Sequence, residues 1–307
     1  MSKEQRLRVD AVLRQPRPDG PQTIEAFRAG FRATMAQMIV PDGIRTSETI
    51  LGDRPALQVE PQDGGRPGTI LYFHGGGWVV GSPETALSLT GNLVARTGFT
   101  GLSLDYRLAP ENPFPAAIDD ALSAYRALLD LGHDPSTIAF AGDSAGGGLS
   151  VTTCLAARDA GLPLPGAIVG FSAGLDATGT GESMDTKTGI DPIFTRERLE
   201  PMRDMYLAGQ DPLQPLISPA VLADLAGFPP MLLQVGTNEV LLDDSTRIAA
   251  RARAAGVNVI LDITADVPHV FQSFAGVLDE ADQALERAAL FLTQHIGTVS
   301  SAPASAK

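Results

Sequence analysis

A serine set between glycines, Gly142-Asp143-Ser144-Ala145-Gly146, follows the apolar run Ile138 to Ala141 and opens a helix-forming stretch. A strand that turns sharply into a helix holds such a serine in strained backbone geometry, and flanking glycines permit an approach that side chains would block. That setting suits a nucleophile. The amides and positive dipole at the helix N-terminus face the negative charge that develops when the serine oxygen adds to a carbonyl. Taken alone, the pentapeptide also fits a serine N-cap in a glycine-rich turn. A phosphate loop is the other rival, but the chain has no G-x-x-x-x-G-K-[ST], and Gly146-Gly147-Gly148 does not continue into a dinucleotide fingerprint.

A second glycine cluster, His74-Gly75-Gly76-Gly77-Trp78, follows the apolar run Thr69 to Phe73. Consecutive glycines are costly in backbone entropy, so they need a reason. One reason is chemical: without side chains, two amide N–H groups of the loop could approach a carbonyl oxygen and, joined by the amide of Ala145 beside the nucleophile, form an oxyanion hole. A plain turn explains such a loop when it stands alone.

The four histidines permit elimination of a base. His74 sits in the glycine loop, His133 in a loop after a helix, and His295 late in the C-terminal helix. His269 remains, just after the last expected strand, where the order nucleophile, acid, base along the chain would put it. Three carboxylates compete to orient its imidazole: Glu239, Asp243 and Asp244, all in the loop after the strand Met231 to Val235. Glu239 is nearest the strand end, while Asp243 and Asp244 suit capping of the next helix.

Positioning these groups requires a sheet. Short apolar runs alternate with helical periods from residue 68 onward, the rhythm of crossover units on a mostly parallel sheet. Strands are expected at Thr69 to Phe73, Thr100 to Asp105, Ile138 to Ala141, Ala167 to Phe171, Met231 to Val235 and Val257 to Ile263, preceded by a hairpin at Ile44 to Leu51 and Ala56 to Glu60. Helices are expected at Glu84 to Arg96, Ala116 to Leu131, Ala145 to Ala160, Asp244 to Ala255 and Glu280 to His295. An amphipathic helix, Ile24 to Met38, precedes them. The stretch Thr178 to Pro229 breaks the rhythm with a helical run near Thr195 to Leu207, and an insertion there covers the strand ends where open α/β sheets bind ligands.

Composition removes several function classes. A net charge of −13 over 307 residues, without a Lys/Arg-rich run, opposes binding to nucleic acid or anionic membranes. The single cysteine, Cys154, rules out an internal disulfide and a cysteine-based zinc cage. No stretch approaches the roughly 18 apolar residues of a membrane span, so stable membrane insertion is not expected. The charged N-terminus, Met1 to Leu13, does not read as a signal peptide, and a cytoplasmic location is expected. Ser300 to Lys307 reads as a frayed polar tail.

Together, His74-Gly-Gly-Gly-Trp78, Tyr106-Arg-Leu-Ala-Pro-Glu111, Gly142-Asp-Ser-Ala-Gly-Gly147, the Glu239 loop and Pro268-His269 resemble the hormone-sensitive-lipase family of bacterial esterases, also called family IV. The resemblance implies an α/β-hydrolase fold, a doubly wound, mostly parallel sheet with a helical cap. It assigns residues 1–45 to an N-terminal cap segment and 46–307 to the catalytic domain, with a cap insertion at about 180–210. It implies a carboxylic ester hydrolase for short- to medium-chain acyl esters, with Ser144 as nucleophile, His269 as base and Gly75 to Gly77 with Ala145 as oxyanion hole. The family's usual acid is the first aspartate of D-P-L-x-D; alignment of Glu239-Val-Leu-Leu-Asp243 on it puts Glu239 on the acid. No metal or organic cofactor is called for, the partner is a small ester, and a homodimer is implied. Arg107 and Glu111 read as a structural ion pair bracing the site. A receptor on the same fold and an amidase with the same triad are the alternative readings, separated by p-nitrophenol burst release and by ester against anilide turnover.

Overall fold

Alternate side chains of the central strands enter two different cores. Leu71, Phe73, Ile138, Phe140 and Leu233 pack on one side of the sheet, and Ile70, Tyr72, Ala139, Ala141 and Leu232 on the other. This is the arrangement of parallel strands covered on both faces by helices. The computed structural model describes residues 2–15 and 23–296; the expected tail at Ser300 to Lys307 lies outside them.

Among the described residues, eight strands form one sheet: β1 (Ile44–Leu51), β2 (Arg54–Pro61), β3 (Thr69–Phe73), β4 (Thr100–Leu104), β5 (Ile138–Asp143), β6 (Ala167–Phe171), β7 (Met231–Gly236) and β8 (Val259–Thr264). Their order is β1-β2-β4-β3-β5-β6-β7-β8. β2 runs antiparallel to β1 and β4, and all other neighbours are parallel. The register pairs Phe73 with Gly142 and Asp143 with Phe171, and sets Phe171 against Gln234. The carboxyl ends of β3, β5, β6 and β7 therefore come level along one rim.

The helices are α1 (Ser2–Leu13), α2 (Ile24–Met35), α3 (Leu87–Thr97), α4 (Ala116–Asp130), α5 (Ala145–Asp159), α6 (Ser183–Thr186), α7 (Arg196–Leu207), α8 (Pro219–Leu222), α9 (Leu242–Ala254) and α10 (Asp279–Ile296). α4, α5 and α9 cover one face of the sheet, and α3 and α10 the other. Phe27 and Phe31 of α2 and Met202 and Met205 of α7 pack with Val79 and Val80, the residues that follow the glycine loop. Among the described residues no helix is long and apolar enough to cross a membrane.

Boundaries differ from expectation where local chemistry intervenes. The helix expected from Glu84 is a 3-10 turn over Pro83–Ala86, with proline at its start, and becomes α-helical at Leu87. Val257, expected to open β8, donates its N–H to Ala252 O at 2.9 Å and so closes α9 instead. α1 was not expected as a helix because it lacks an apolar stripe, with Val9 its one buried residue. Side chains hold it: Gln5 donates to Asp279 and Arg6 to Asp266.

Candidate active site

Ser144 stands between β5 and α5 with φ 51° and ψ −120°. Left-handed backbone at a non-glycine residue is strained, and neighbouring structure must hold it there. The Ser144 N–H donates to Phe171 O at 2.8 Å, and its carbonyl accepts from Gly148 at 3.1 Å and Gly174 at 2.9 Å. The two motif glycines are set by contact with β3. A Cβ on Gly142 would lie 2.6 Å from the Phe73 carbonyl oxygen, and one on Gly146 would overlap that oxygen outright.

The glycine loop leaves β3 beside this turn. Gly76 has φ 119°, and its carbonyl accepts from Val79 at 3.1 Å and Val80 at 3.0 Å. Among the described residues, no protein acceptor takes the amides of Gly76, Gly77 or Ala145. Gly75 departs from the oxyanion expectation, because its N–H donates to Asp143 Oδ1 at 3.1 Å and is not available to a substrate. Asp143 also accepts from Tyr72 OH at 2.9 Å. Burial pushes the Asp143 carboxyl up to about 6, against the Tyr72 hydrogen bond and the His269 charge.

His74 is a bracing residue. Fully buried, it stacks on Tyr106 with centroids 4.1 Å apart and directs Nδ1 to Gly75 O at 2.8 Å, which must therefore be the protonated nitrogen. Burial lowers its pKa to about 4, so the ring is neutral near pH 7.

On the other side of the rim, His269 Nδ1 lies 2.8 Å from Glu239 Oε2, the two side chains 6% and 0% exposed. Glu239 Oε1 accepts from the Gly236 N–H at 2.5 Å and the Ser172 hydroxyl at 2.8 Å. Burial by itself lowers the His269 pKa, but the hydrogen bond and charge of Glu239, with Asp191 and Asp143 adding, raise it above its ordinary 6.5. The opposite ring nitrogen, Nε2, is buried and has no protein partner among the described residues, so no hydrogen bond joins it to Ser144. Phe194 meets the ring edge-on at 5.0 Å.

Asp243 and Asp244 neither touch His269 nor cap their own helix, whose N-cap is Leu241 without a side-chain bond. Asp243 accepts from Ser183 N–H at 2.9 Å, and Asp244 from Leu175 at 2.6 Å and Asp176 at 2.9 Å. The insertion and the loop after β6 bring unpaired amides over the helix start, and those amides take the carboxylates. Burial pushes Asp244 up to about 8, against the amide bond from Leu175.

The expected Arg107–Glu111 pair also does not form. Arg107 pairs with Asp120 at 2.7 Å, since that buried carboxylate on α4 needs a cation. Glu111 instead accepts from both terminal guanidinium nitrogens of Arg28, at 2.9 and 2.7 Å. Arg28 further donates to Val79 O at 2.9 Å and Ala109 O at 3.0 Å, tying α2 to the turn after the glycine loop.

Sequence reasoning missed three residues of this site: Tyr72, Ser172 and Asp191. Asp191 accepts from Val240 N–H at 2.9 Å and so ties the insertion to the Glu239 loop. None has a local signal, since each acts on a partner from another loop.

A cavity of about 100 Å³ opens at Ser144, lined by Gly77, Trp78, Ala145, Met202 and Ile217 among others. Tyr206 stacks on Trp78 at 4.4 Å. Phe27 and Phe31 pack against the cluster of Val79 and Val80. Among the described residues no three His, Cys, Asp or Glu side chains gather as metal ligands.

Comparison with known proteins fits this geometry. A family model described as alpha/beta hydrolase fold matches residues 70–273. The chain belongs to the alpha/beta-hydrolase family. Within that family, its likeness to the bacterial hormone-sensitive-lipase esterases extends over nearly the whole hydrolase chain: a crystal structure of one such esterase superposes with a TM-score of 0.92 at 41% identity, covering 96% of this chain and 99% of the other. An acetyl-hydrolase of Streptomyces hygroscopicus is 43% identical over 75% of this chain and 76% of its own length. An esterase of Acinetobacter venetianus is 37% identical over 73% and 74%. This hydrolase is an esterase.

Proposed function

We propose that this esterase cleaves short- to medium-chain acyl esters through a covalent acyl-enzyme, with Ser144 as nucleophile, His269 as general base and Glu239 as the acid that orients it. The observation that carries the reading is the buried Glu239–His269 pair at 2.8 Å, whose remaining nitrogen has no protein partner among the described residues and stands on the same rim as the strained serine.

In the forward step His269 Nε2 takes the Ser144 proton as Oγ bonds to the ester carbon. The carbonyl electrons move to oxygen, where the amides of Gly76, Gly77 and Ala145 would receive them. Collapse expels the alcohol, which leaves with the proton from His269. Water then repeats the cycle on the acyl-enzyme and releases the acid. Glu239 stays ionised, fixes the Nδ1–H tautomer and stabilises the imidazolium.

Cavity size supports a small acyl group. About 100 Å³ holds several water-sized groups, and its lining is mainly apolar. α2, α7 and the rest of the insertion near 180–210 would act as the cap over it. The test is hydrolysis of p-nitrophenyl esters of increasing acyl length by the native chain and Ser144→Ala. Native turnover should be highest at short chains, and the variant should lose it while its circular dichroism is unchanged. Retained turnover in folded Ser144→Ala refutes the nucleophile.

A further inference from the structure

Immediately after β6, one hydroxyl bonds both the acid and the backbone of the residue that follows the base. Ser172 is fully buried and sits at φ 49°, its N–H donating to Gln234 O at 2.7 Å. Its Oγ accepts from Val270 N–H at 3.0 Å, which directs its own proton to Glu239 Oε1 at 2.8 Å. Val270 follows the base and is itself left-handed, at φ 49°.

We propose that Ser172 is a positioning residue for the acid, dividing the two oxygens of Glu239 so that Oε1 is anchored and Oε2 is left to His269. The inference rests on Glu239 being the acid of the reaction. Glutamate carries one more torsion than aspartate, and its terminal torsion is broad, so a carboxylate on this longer arm needs a second anchor to keep one oxygen on the imidazole. Ser172 and Gly236 supply it, both donating to Oε1. Gly236 closes β7 and lies only three residues before Glu239 in the chain. Ser172 follows β6, the strand paired with β7, and so ties the carboxylate to a separate segment of the fold. Because the same oxygen holds the amide of Val270, it also sets the distance between the acid and the segment bearing the base. A left-handed, fully buried serine is an expensive choice for the chain, and the two hydrogen bonds are what that backbone delivers.

The test compares the native chain, Ser172→Ala, Ser172→Gly, Glu239→Gln and the double variant Ser172→Ala/Glu239→Gln in hydrolysis of p-nitrophenyl acetate, each rate normalised to folded protein. Glycine suits the left-handed backbone, so Ser172→Gly keeps the question open if the alanine variant folds badly. Loss of one hydrogen bond to a charged group should lower kcat about tenfold in both Ser172 single variants, with KM changed less than twofold. On the Glu239→Gln background the same substitution should change kcat less than twofold, because the anchored charge is already gone. A folded Ser172 variant with native kcat, or one whose tenfold loss persists in full beside Glu239→Gln, overturns the proposal in favour of a merely structural serine. Native activity in Glu239→Gln would instead sink the acid assignment.

Discussion

The two walls of the active site are held by different physics. The nucleophile and glycine loop, residues 73–81 and 142–148, interlock through backbone: Gly142 and Gly146 press on the carbonyl of Phe73, and Gly76 on Val80. The acid–base wall, residues 172, 236–243 and 267–272, is held by side chains from separate loops, with Ser172 on Glu239, Asp191 on Val240 and Asp243 on Ser183. Contact between backbones leaves no substitute for glycine. Hydrogen bonds made by side chains can be drawn in several ways among similar residues.

The contrast can be broken at its steric end first. Gly146→Ala puts a methyl group onto the Phe73 carbonyl oxygen, and it should abolish folded, active enzyme or reduce kcat/KM by more than about 100-fold; folded yield and ester turnover together measure it. Normal activity in that variant would show that β3 and the elbow can part without harm.

At the polar wall, Glu239→Gln should lower kcat by about 100- to 10,000-fold, since the imidazole loses the charge that fixes its tautomer. It should also move the acid limb of the pH profile. His269 must be neutral to accept the serine proton, and its raised pKa makes the native enzyme lose activity as pH falls through a value above 6.5. Without the glutamate charge, burial dominates and the limb should shift to lower pH. A limb that stays in place would assign the titration to another group.

Arg28→Ala tests whether α2 steadies the glycine loop from outside. The guanidinium bridges Val79, Ala109 and Glu111, so kcat should fall about three- to tenfold with the limb unmoved, and lysine, which lacks the fork, should restore little. Initial rates across pH settle it.

The smallest catalytic effect is expected at Asp243→Ala. Loss of its bond to Ser183 should lower Tm by a few degrees while turnover changes less than about threefold. A collapse of activity as deep as that of Glu239→Gln would make Asp243 part of the chemistry.

Legibility followed the same division. The elbow and the glycine loop announced themselves as G-x-S-x-G and three adjacent glycines because no other residue fits those backbones. His269 was reached by elimination among four histidines and by its place after the last strand. Gly75 was misjudged, since a bare amide in the right loop says nothing of the Asp143 carboxylate that takes it. Asp243 and Asp244 read as helix caps because they begin α9, whereas amides from loops some 60 to 70 residues away claim them.

The sequence by itself determined the alternation of strands and helices, the strained serine and the glycine loop, because periodicity and steric crowding act between neighbours in the chain. Tertiary structure alone decided which carboxylate faces His269, which amides remain for a substrate and how Arg28, Asp120 and Glu111 pair. Those choices depend on which buried donors and acceptors meet across the rim. A carboxylate taken from water goes to whichever buried partner the fold places within hydrogen-bonding distance.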